Sequence, residues 1–289
     1  MGLALATVVI WGLSFVATRV AVETVPPLTL AFLRFLIASA GLLVLVRHRY
    51  GRIGFSPRDR RDIVWMGLSG VTLAFVFENV GLRHTSASHG ALLVSLTPLA
   101  TAAADAVLGR SRLGWRTVAG LVAALGGVLL IVGAGGGGAS LYGDGLMLAT
   151  VGCWVAYSFL TERLTGRYPA VAVTAWSIAA GTAALLPLAA VELVREGIGR
   201  PDGRAIVATL YLGILCSAVA YVWWNRAIDV LGVSVTNALI YGIPLVGVLA
   251  GVILLGEPLT WKVGAGAVLI VGGVVAATRS TEPEPPPRG

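Results

Sequence analysis

Glu78 and Asn79 place a carboxylate and a carboxamide side by side, directly after a run of residues that would dissolve in lipid. The surrounding stretch, GVTLAFVFENVGLR at positions 70–83, contains no other acidic residue. Arg34 interrupts an earlier apolar run in the same manner. A charged side chain inside an apolar segment is costly unless it is paired, protonated or in contact with water. Glu78 and Arg34 are therefore the first candidates for chemistry in this chain.

Arg34 and Glu78 lie at similar depths in two consecutive apolar runs. Glu78 is about four residues, or roughly 6 Å, from the end of its run, and Arg34 is about six residues, or roughly 9 Å, from the start of the preceding one. The two side chains can therefore meet. One interpretation is a structural ion pair between two helices. A second makes Glu78 a proton-coupling group or a binding group for a substrate amine, and a third has it reaching headgroup water.

The composition of the chain indicates a membrane protein. Of its 289 residues, 57% are hydrophobic and 12% are charged, and the mean hydropathy is +0.87, whereas about a quarter of the residues in a soluble domain are charged. A helix needs roughly 20 apolar residues to cross a bilayer. Such runs fall at 3–21, 28–46, 63–82, 87–108, 117–133, 145–161, 169–190, 205–224, 233–255 and 262–277. They do not alternate like barrel strands, so we predict an all-α integral membrane protein with ten transmembrane helices.

The distribution of the arginines predicts the orientation of these helices. With the N-terminus in the cytoplasm, 14 of the 21 cations fall on inner connections or the tail, and five fall on outer connections. This positive-inside bias predicts a multi-pass protein of the cytoplasmic (inner) membrane with both termini in the cytoplasm. The segment RHRYGRIGFSPRDRR carries six arginines and is interpreted as an orientation signal on a solvated loop, not as a nucleic-acid site.

The chain also contains an internal repeat. LATVVIWGLSFVATR is echoed by LATVGCWVAYSFLTER, which matches Trp11 to Trp154, and the later parts match at a constant offset of 146 residues, which places Trp224 where the first half has Glu78. Each half holds five helices, so the second half enters the membrane from the opposite side and the repeats are inverted. We predict a first repeat at 1–133, a Gly-rich outer linker at 134–144, a second repeat at 145–278 and a disordered cytoplasmic tail at 279–289.

Three stretches resemble the EamA-type repeats of the drug/metabolite transporter superfamily: WGLSFVATRVAVETVPPLTLAFLRF, TSASHGALLVSLTPL and LGEPLTWKVGAGAVLIVGGVV. The resemblance covers nearly the whole chain. It implies ten helices with both ends cytoplasmic, a central cavity lined chiefly by helices 1, 3, 4, 6, 8 and 9, and movement of small metabolites, often the export of amino acids or related compounds. The family's glutamate after helix 9 corresponds to Glu257, but the first repeat reads VLGRSRLGW there. We therefore expect Glu257 to make a helix-end contact.

The candidate cavity residues are polar, aromatic or proline side chains inside the predicted helices. Pro98 and Pro244 lie well inside helices 4 and 9, where each releases a backbone carbonyl that a wet cavity could satisfy; a kink that only shapes packing is the alternative. Trp11 and Trp154 are too deep for the interfacial belt and could stack on an apolar substrate or only pack against neighbouring helices. The candidates are Trp11, Ser14, Glu78, Asn79, Ser95, Pro98, Trp154, Tyr157, Tyr221, Asn225, Asn237, Tyr241 and Pro244.

Trp223 and Trp224 lie near a predicted helix end and are assigned to the interfacial belt. His84 and His89 border the connection between helices 3 and 4 and are interpreted as solvated side chains, although they could titrate near neutral pH. Cys153 and Cys216 lie inside predicted helices with no second ligand at metal spacing. We therefore predict neither a metal site nor a cofactor.

The string GLSG at 67–70 is of the kind that intramembrane serine proteases use. Ser69 nevertheless lies 15 and 20 residues from His84 and His89, which is roughly 22–30 Å along a helix. A nucleophile and its base must come within about 3 Å of each other. We therefore predict no catalytic residues and no enzyme activity.

Inverted repeats indicate a secondary-active transporter that works by alternating access. We expect it to export amino acids or related small apolar or zwitterionic solutes. The alternatives are an importer or a drug-efflux carrier of the same fold, and, from another class, a passive channel or a non-transporting scaffold. The sequence contains no nucleotide-binding motif, so an ion gradient or the substrate gradient must drive transport, with protons as one candidate. The expected partners are a small-molecule substrate and the lipid bilayer, without nucleic acid, and both monomer and homodimer remain open.

Overall fold

The structure, a computed structural model, describes residues 2–109, 115–132, 140–197 and 200–278. These residues form ten helices and no strand, which confirms the predicted all-α class. The helices are α1 (Gly2–Ala21), α2 (Pro27–Tyr50), α3 (Pro57–His84), α4 (Ala87–Val107), α5 (Trp115–Val132), α6 (Leu141–Thr165), α7 (Ala170–Glu196), α8 (Gly203–Leu231), α9 (233–255) and α10 (Trp261–Thr278). By length and composition, α1–α4 and α6–α8 can each cross a membrane, and α9 and α10 contain shorter apolar helices.

The arginine-rich segment is mostly helical, so the prediction of a solvated loop was wrong for most of its length. Helix α2 continues to Tyr50 and α3 already begins at Pro57, which leaves only 51–56 as the connection. The Ser56 hydroxyl accepts a hydrogen bond from the Asp59 N–H at 3.1 Å and caps α3, and a proline in the first turn loses no helical hydrogen bond. These local signals start the helix before its apolar run begins.

Helix α6 also begins earlier than its apolar run. It starts at Leu141, where the Ser140 hydroxyl accepts a hydrogen bond from the backbone N–H three residues on, at 3.1 Å. The last part of the linker predicted at 134–144 is therefore helical. The rest of that linker and the predicted tail at 279–289 lie outside the described residues, apart from Ser140.

Matched irregularities relate the two halves of the fold. Leu68–Leu73 in α3 and Leu212–Val219 in α8 are π-helical, and both segments are in register with the offset of 146 residues. Each packs on the second helix of the other repeat, α3 on α7 and α8 on α2. A Cβ atom on Gly67 would lie 2.7 Å from a backbone nitrogen of α7, and one on the matching Gly213 would lie 3.1 Å from a backbone oxygen of α2. The repeats therefore pack together through two equivalent contacts, and in each contact a glycine allows two helix backbones to approach closely.

The fourth helix of each repeat is interrupted at its middle. Helix α4 breaks at a turn at residues 95–96, and α9 passes through a 3₁₀ turn at Leu239–Tyr241. Pro98 and Pro244 therefore lie in the first turn of the second half of α4 and of α9, and not inside continuous helices as predicted. A missing N–H costs little in the first turn of a helix, which explains why proline is tolerated there. The Val94 carbonyl accepts a hydrogen bond from the Thr97 hydroxyl at 2.7 Å.

Two glutamates of the second repeat cap helices of the first. Glu192 of α7 accepts hydrogen bonds from the backbone N–H groups of Leu28 and Thr29, at 3.1 and 2.7 Å, where α2 begins. Glu257 does the same at the start of α4, where it accepts from two backbone N–H groups at 2.8 and 3.0 Å and from the Ser88 hydroxyl. A carboxylate at a helix N-terminus satisfies unpaired N–H groups and opposes the helix dipole. The helix-end contact expected of Glu257 is thereby confirmed.

Glu192→Gln is expected to lower the free energy of unfolding by about 1–2 kcal/mol, because it removes the negative charge from a buried N-cap of α2. Glu196→Gln, one turn further along α7, is the matched control, since Glu196 pairs with Arg83 at 3.2 Å in a half-exposed position and such pairs contribute about 0–1 kcal/mol. Thermal unfolding of the two variants in detergent measures the difference. Equal unfolding temperatures would contradict the capping role of Glu192.

Candidate substrate cavity

A cavity lies between the two repeats and is lined by residues of α1, α2, α3, α4, α6, α8 and α9. These are the helices that the resemblance implies, with α2 in addition. Much of the wall consists of residues that the repeat relates in pairs. The pairs are Trp11 with Trp154, Phe75 with Tyr221, Val94 with Ile240, and Thr97 with Ile243. The cavity therefore lies where the two repeats meet and contribute equivalent positions.

Three aromatic rings form the centre of this wall. The ring centroids of Trp11 and Trp154 are 5.3 Å apart at an angle of 90°, and each lies 5.7 Å from the ring of Tyr221. Edge-to-face contacts at these distances are favourable. The Trp11 Nε1 donates a hydrogen bond to the Cys216 carbonyl at 3.1 Å, and the Tyr221 hydroxyl donates to the Gly70 carbonyl at 3.0 Å. Both bonds cross between the repeats, so the rings hold fixed positions.

Tyr157 and Asn225, two predicted cavity residues, lie behind the wall. Tyr157 is fully buried and its ring stacks on Trp154 at 5.0 Å. The Asn225 side-chain amide donates to the Tyr157 hydroxyl at 2.8 Å and to the Thr174 hydroxyl at 2.7 Å. These bonds join α6, α7 and α8 and hold in place the Tyr157 ring on which Trp154 stacks.

Arg34 and Glu78 come together at the cavity, as the comparison of their depths predicted. The distance between Arg34 Nη1 and Glu78 Oε1 is 4.0 Å, and the side chains are 1% and 12% exposed. The Arg34 Nε donates a hydrogen bond to the Ser217 hydroxyl at 2.9 Å, and its guanidinium carbon lies 4.5 Å from the centroid of the Phe75 ring. Glu78 is thus covered by protein, which does not favour contact with headgroup water.

Several other predicted cavity residues are buried in packing positions, and within the described residues they are not part of the cavity wall. The Asn79 side-chain amide donates to the Pro27 carbonyl at 2.9 Å, and that of Asn237 donates to the Thr101 hydroxyl at 3.3 Å. The Ser95 hydroxyl donates to a carbonyl of its own helix. The others in this group are Pro98 and Pro244. The side chain of Tyr241 lies outside the described part of the structure.

Trp224 does not belong to an interfacial belt, so that assignment was wrong. It is fully buried, and its ring lies 4.9 Å from the ring of Trp11. Helix α8 continues to Leu231, seven residues past the predicted end, so Trp224 is almost two turns inside it. Phe75 was also missed as a cavity residue. Two signals could have found it: Phe75 precedes Glu78 by one helical turn, and the repeat matches it to Tyr221.

His89 is buried, so its interpretation as a solvated side chain was wrong. Its side chain is 3% exposed, and its Nδ1 lies 3.4 Å from Oδ2 of Asp144. The other carboxylate oxygen of Asp144, Oδ1, accepts a hydrogen bond from the Thr85 hydroxyl at 2.5 Å. Only His84 is exposed as expected. Ser69 donates to the Met66 carbonyl of its own helix. The side chains of His89 and Ser69 are thus engaged with different partners.

The chain is similar to known transporters over almost its entire length. A model of the EamA-like transporter family matches residues 1–133 and 141–279. A probable terminal-alkyne amino-acid exporter of Streptantibioticus cattleyicolor is 30% identical, with 95% of this chain and 92% of the relative aligned. An uncharacterized transporter of Archaeoglobus fulgidus is 29% identical over 94% of each chain.

Two further comparisons agree with this family. A probable amino-acid metabolite efflux pump of Salmonella typhimurium is 28% identical, with 94% of this chain and 92% of the relative aligned. Among solved structures, a crystal structure matches with a TM-score of 0.67 at 24% identity, with 96% of each chain aligned. At that identity the likeness concerns the fold.

Proposed function

This chain belongs to the EamA-like transporter family of the drug/metabolite transporter superfamily, and we propose that it is a secondary-active exporter of amino acids or related small apolar or zwitterionic solutes. Proteins of this family move small molecules across membranes, and this chain is a multi-pass membrane protein. The proposed mechanism is alternating access, with the solute held in the cavity between the repeats.

The paired wall of the cavity is the observation that supports this mechanism above all others. Trp11 and Phe75 of the first repeat face the cavity together with Trp154 and Tyr221, their counterparts in the second. Because the repeats are inverted, an exchange of their conformations would turn a cavity open to one side into a cavity open to the other. A site built from both repeats would be exposed first to one side of the membrane and then to the other by this exchange.

The chemistry of the wall supports a small solute with an apolar body. Aromatic and aliphatic side chains surround the cavity, and a few polar groups interrupt them, which is typical of small-molecule sites. The names of the Streptantibioticus and Salmonella relatives refer to amino-acid export and efflux. A gradient of an ion, with protons as a candidate, or of the solute itself would drive the transport.

We also propose that both termini lie in the cytoplasm and that the protein resides in the inner membrane. The end of the fold where α2 meets α3 carries six of the 20 arginines within residues 47–61, and the positive-inside rule favours the cytoplasm for such a segment. Ion pairs join the same end to α6 and its following turn: Arg163 lies 3.0 Å from Asp62, and Arg167 lies 3.1 Å from Asp59. In this orientation α5 and α6, the last helix of one repeat and the first of the next, are joined on the outer side of the inner membrane.

Cells that express this protein are expected to release at least one small metabolite that cells with an empty vector retain. An untargeted comparison of the two culture media by mass spectrometry, with amino acids and peptides fed in turn, measures this release. Enrichment of a zwitterionic or apolar compound in the medium would support export. Accumulation of the compound inside the cells would contradict the outward direction, and unchanged media under every feeding condition would contradict export altogether.

A further inference from the structure

Arg34 and Glu78 place opposite charges in the wall of an otherwise largely apolar cavity. We propose that these two side chains form the receptor for the head group of a zwitterionic solute, with the solute carboxylate on Arg34 and the solute ammonium on Glu78. This inference rests on the proposed function, because it requires that the cavity hold the transported solute.

Arg34 has an unused hydrogen-bond donor that is fixed in place. Its Nε is bound to Ser217, and its guanidinium lies against the Phe75 ring at 4.5 Å and the Phe35 ring at 5.3 Å. The Nη1 nitrogen is buried and has no hydrogen-bond acceptor among the described residues. A buried donor without an acceptor is costly, and a guanidinium binds carboxylates especially well. A solute carboxylate would satisfy this donor.

The Nε1 of Trp154 is a second N–H group of the cavity residues without an acceptor among the residues that the structure describes. The two donors belong to different repeats, Arg34 to α2 and Trp154 to α6. Two unpaired donors lining one small cavity favour an anionic acceptor over a cationic one. This second donor supports the placement of a carboxylate at the Arg34 side of the cavity.

Glu78 also retains its capacity for hydrogen bonding. Its Oε1 lies 4.0 Å from Arg34 Nη1, which is beyond hydrogen-bond range, and it accepts no hydrogen bond from the other described residues. The opposite charges of Arg34 and Glu78 therefore compensate each other, but the two side chains do not hydrogen-bond to each other. The Nη1 donor of Arg34 and the carboxylate of Glu78 remain available to a solute. Both side chains face the cavity, so a polar solute can reach them together.

The two opposite charges lie close enough together, 4.0 Å apart, to contact the head group of an α-amino acid at the same time. In that head group the ammonium nitrogen and a carboxylate oxygen are about one hydrogen-bond length apart, roughly 2.7 Å. Placed antiparallel to the Arg34–Glu78 pair, it puts each charge beside its opposite. A solute with a carboxylate alone, or an ammonium alone, adds an uncompensated charge to a buried neutral pair, which is unfavourable. The geometry therefore favours a zwitterion over an organic acid or amine.

The second repeat shows that the fold itself does not require this pair. The spacing of 143 residues between Trp11 and Trp154, continued into α2 and α7, places Ser177 at the position of Arg34, and the offset of 146 residues places Trp224 at that of Glu78. Both are fully buried, and the Ser177 hydroxyl donates to the carbonyl of Thr174 in its own helix at 3.0 Å. Equivalent helices thus pack without a charge at either position. Because packing does not require the charges of Arg34 and Glu78, we attribute them to binding of the solute.

Binding of three aromatic probes to the purified protein tests the receptor. Phenylalanine carries both charged groups, 3-phenylpropionate carries only the carboxylate, and 2-phenylethylamine carries only the ammonium. Isothermal titration calorimetry with the wild type is expected to give at least a ~10-fold tighter dissociation constant for phenylalanine than for either analogue. Arg34→Gln should abolish the preference over 2-phenylethylamine and retain the preference over 3-phenylpropionate. Glu78→Gln should do the reverse.

The exposed pair Arg83–Glu196 supplies matched controls, since Arg83→Gln and Glu196→Gln make the same changes outside the cavity. These variants should bind all three probes like the wild type. If Arg34→Gln fails to fold, as thermal unfolding would reveal, the wild type and Glu78→Gln still decide the question.

The inference is overturned if both cavity variants weaken all three probes by the same factor, or if the wild type binds phenylalanine no more tightly than the analogues. It is also overturned if none of the probes binds. In each of these cases the release of metabolites from cells tests the exporter separately. A failed receptor is therefore distinguishable from a failed transporter.

Discussion

Gly70→Ala should prevent this chain from forming a stable transporter. Gly70 lies in the π-helical segment of α3, where an added Cβ would lie 2.8 Å from Tyr157 Cβ and closer still to the Tyr157 ring. The ring cannot move away easily, because it stacks on Trp154 and its hydroxyl is bound to Asn225. Overpacking in a well-packed interior typically costs about 1–3 kcal/mol, and the contact here is at the severe end.

Gly152→Ala on α6 is the matched control, since an added Cβ there meets nothing within 4 Å. Because alanine favours a helix over glycine by roughly 1 kcal/mol, this variant should be neutral or slightly more stable than the wild type. The yield of monodisperse protein and the thermal unfolding temperature in detergent measure both variants. Similar values for Gly70→Ala and Gly152→Ala would show that the close contact with Tyr157 does not constrain the fold.

Ser14→Leu should leave the protein folded and reduce transport by at least ~10-fold, because it fills the cavity that the solute must enter. Ser14 lines the cavity one turn after Trp11 and is 6% exposed. Its hydroxyl donates only to the Trp11 carbonyl of the same helix, at 2.7 Å, so its removal leaves no side-chain partner unsatisfied. Release of the exported metabolite per folded molecule is the quantity to compare.

Ser39→Leu on α2 controls for a large side chain at a buried serine. Ser39 is also 6% exposed and also donates to a carbonyl three residues earlier, but it is not part of the cavity wall. Transport by Ser39→Leu should remain close to the wild-type rate per folded molecule. Wild-type transport by Ser14→Leu, or equal losses in the two variants, would mean that this cavity is not the route of the solute.

The number and order of the helices were predictable because a bilayer crossing requires a long apolar run. The helix ends were less predictable. Helices α2, α3 and α8 extend beyond their apolar runs, since Ser56 caps α3 and polar residues continue the other two helices up to Tyr50 and Leu231. A hydropathy pattern identifies only the part of a helix that crosses the apolar core of the bilayer. The assignment of Trp224 to a belt failed for this reason.

The site was predictable where the repeat or the charge supplied a signal. The match of Trp11 to Trp154 and the similar depths of Arg34 and Glu78 both led to side chains that line the cavity. The buried amides were different. Asn79 and Asn225 bind neighbouring helices, and the sequence alone cannot distinguish a polar side chain that faces a helix from one that faces a cavity.

The two π-helical segments also had no signal in the sequence. In such a segment each backbone N–H group donates its hydrogen bond to the carbonyl five residues earlier, and not to the one four residues earlier. The side chains after the segment therefore point in other directions than they would in a regular α-helix. Face assignments past Leu73 and Val219 therefore could not be made from a period of 3.6 residues. Phe75 and Tyr221 lie two residues past these segments, and the repeat that relates them is a signal that does not depend on the helical period.

Solute counterflow in proteoliposomes is the most direct measurement of alternating access through the cavity between the repeats. Purified protein is reconstituted, the vesicles are loaded with the unlabelled exported compound, and uptake of the labelled compound is followed. Alternating access predicts uptake that is accelerated by the internal compound, saturates with the external concentration and is lost in Ser14→Leu. Flux that rises linearly with concentration and does not respond to the internal compound would contradict a carrier and indicate a channel.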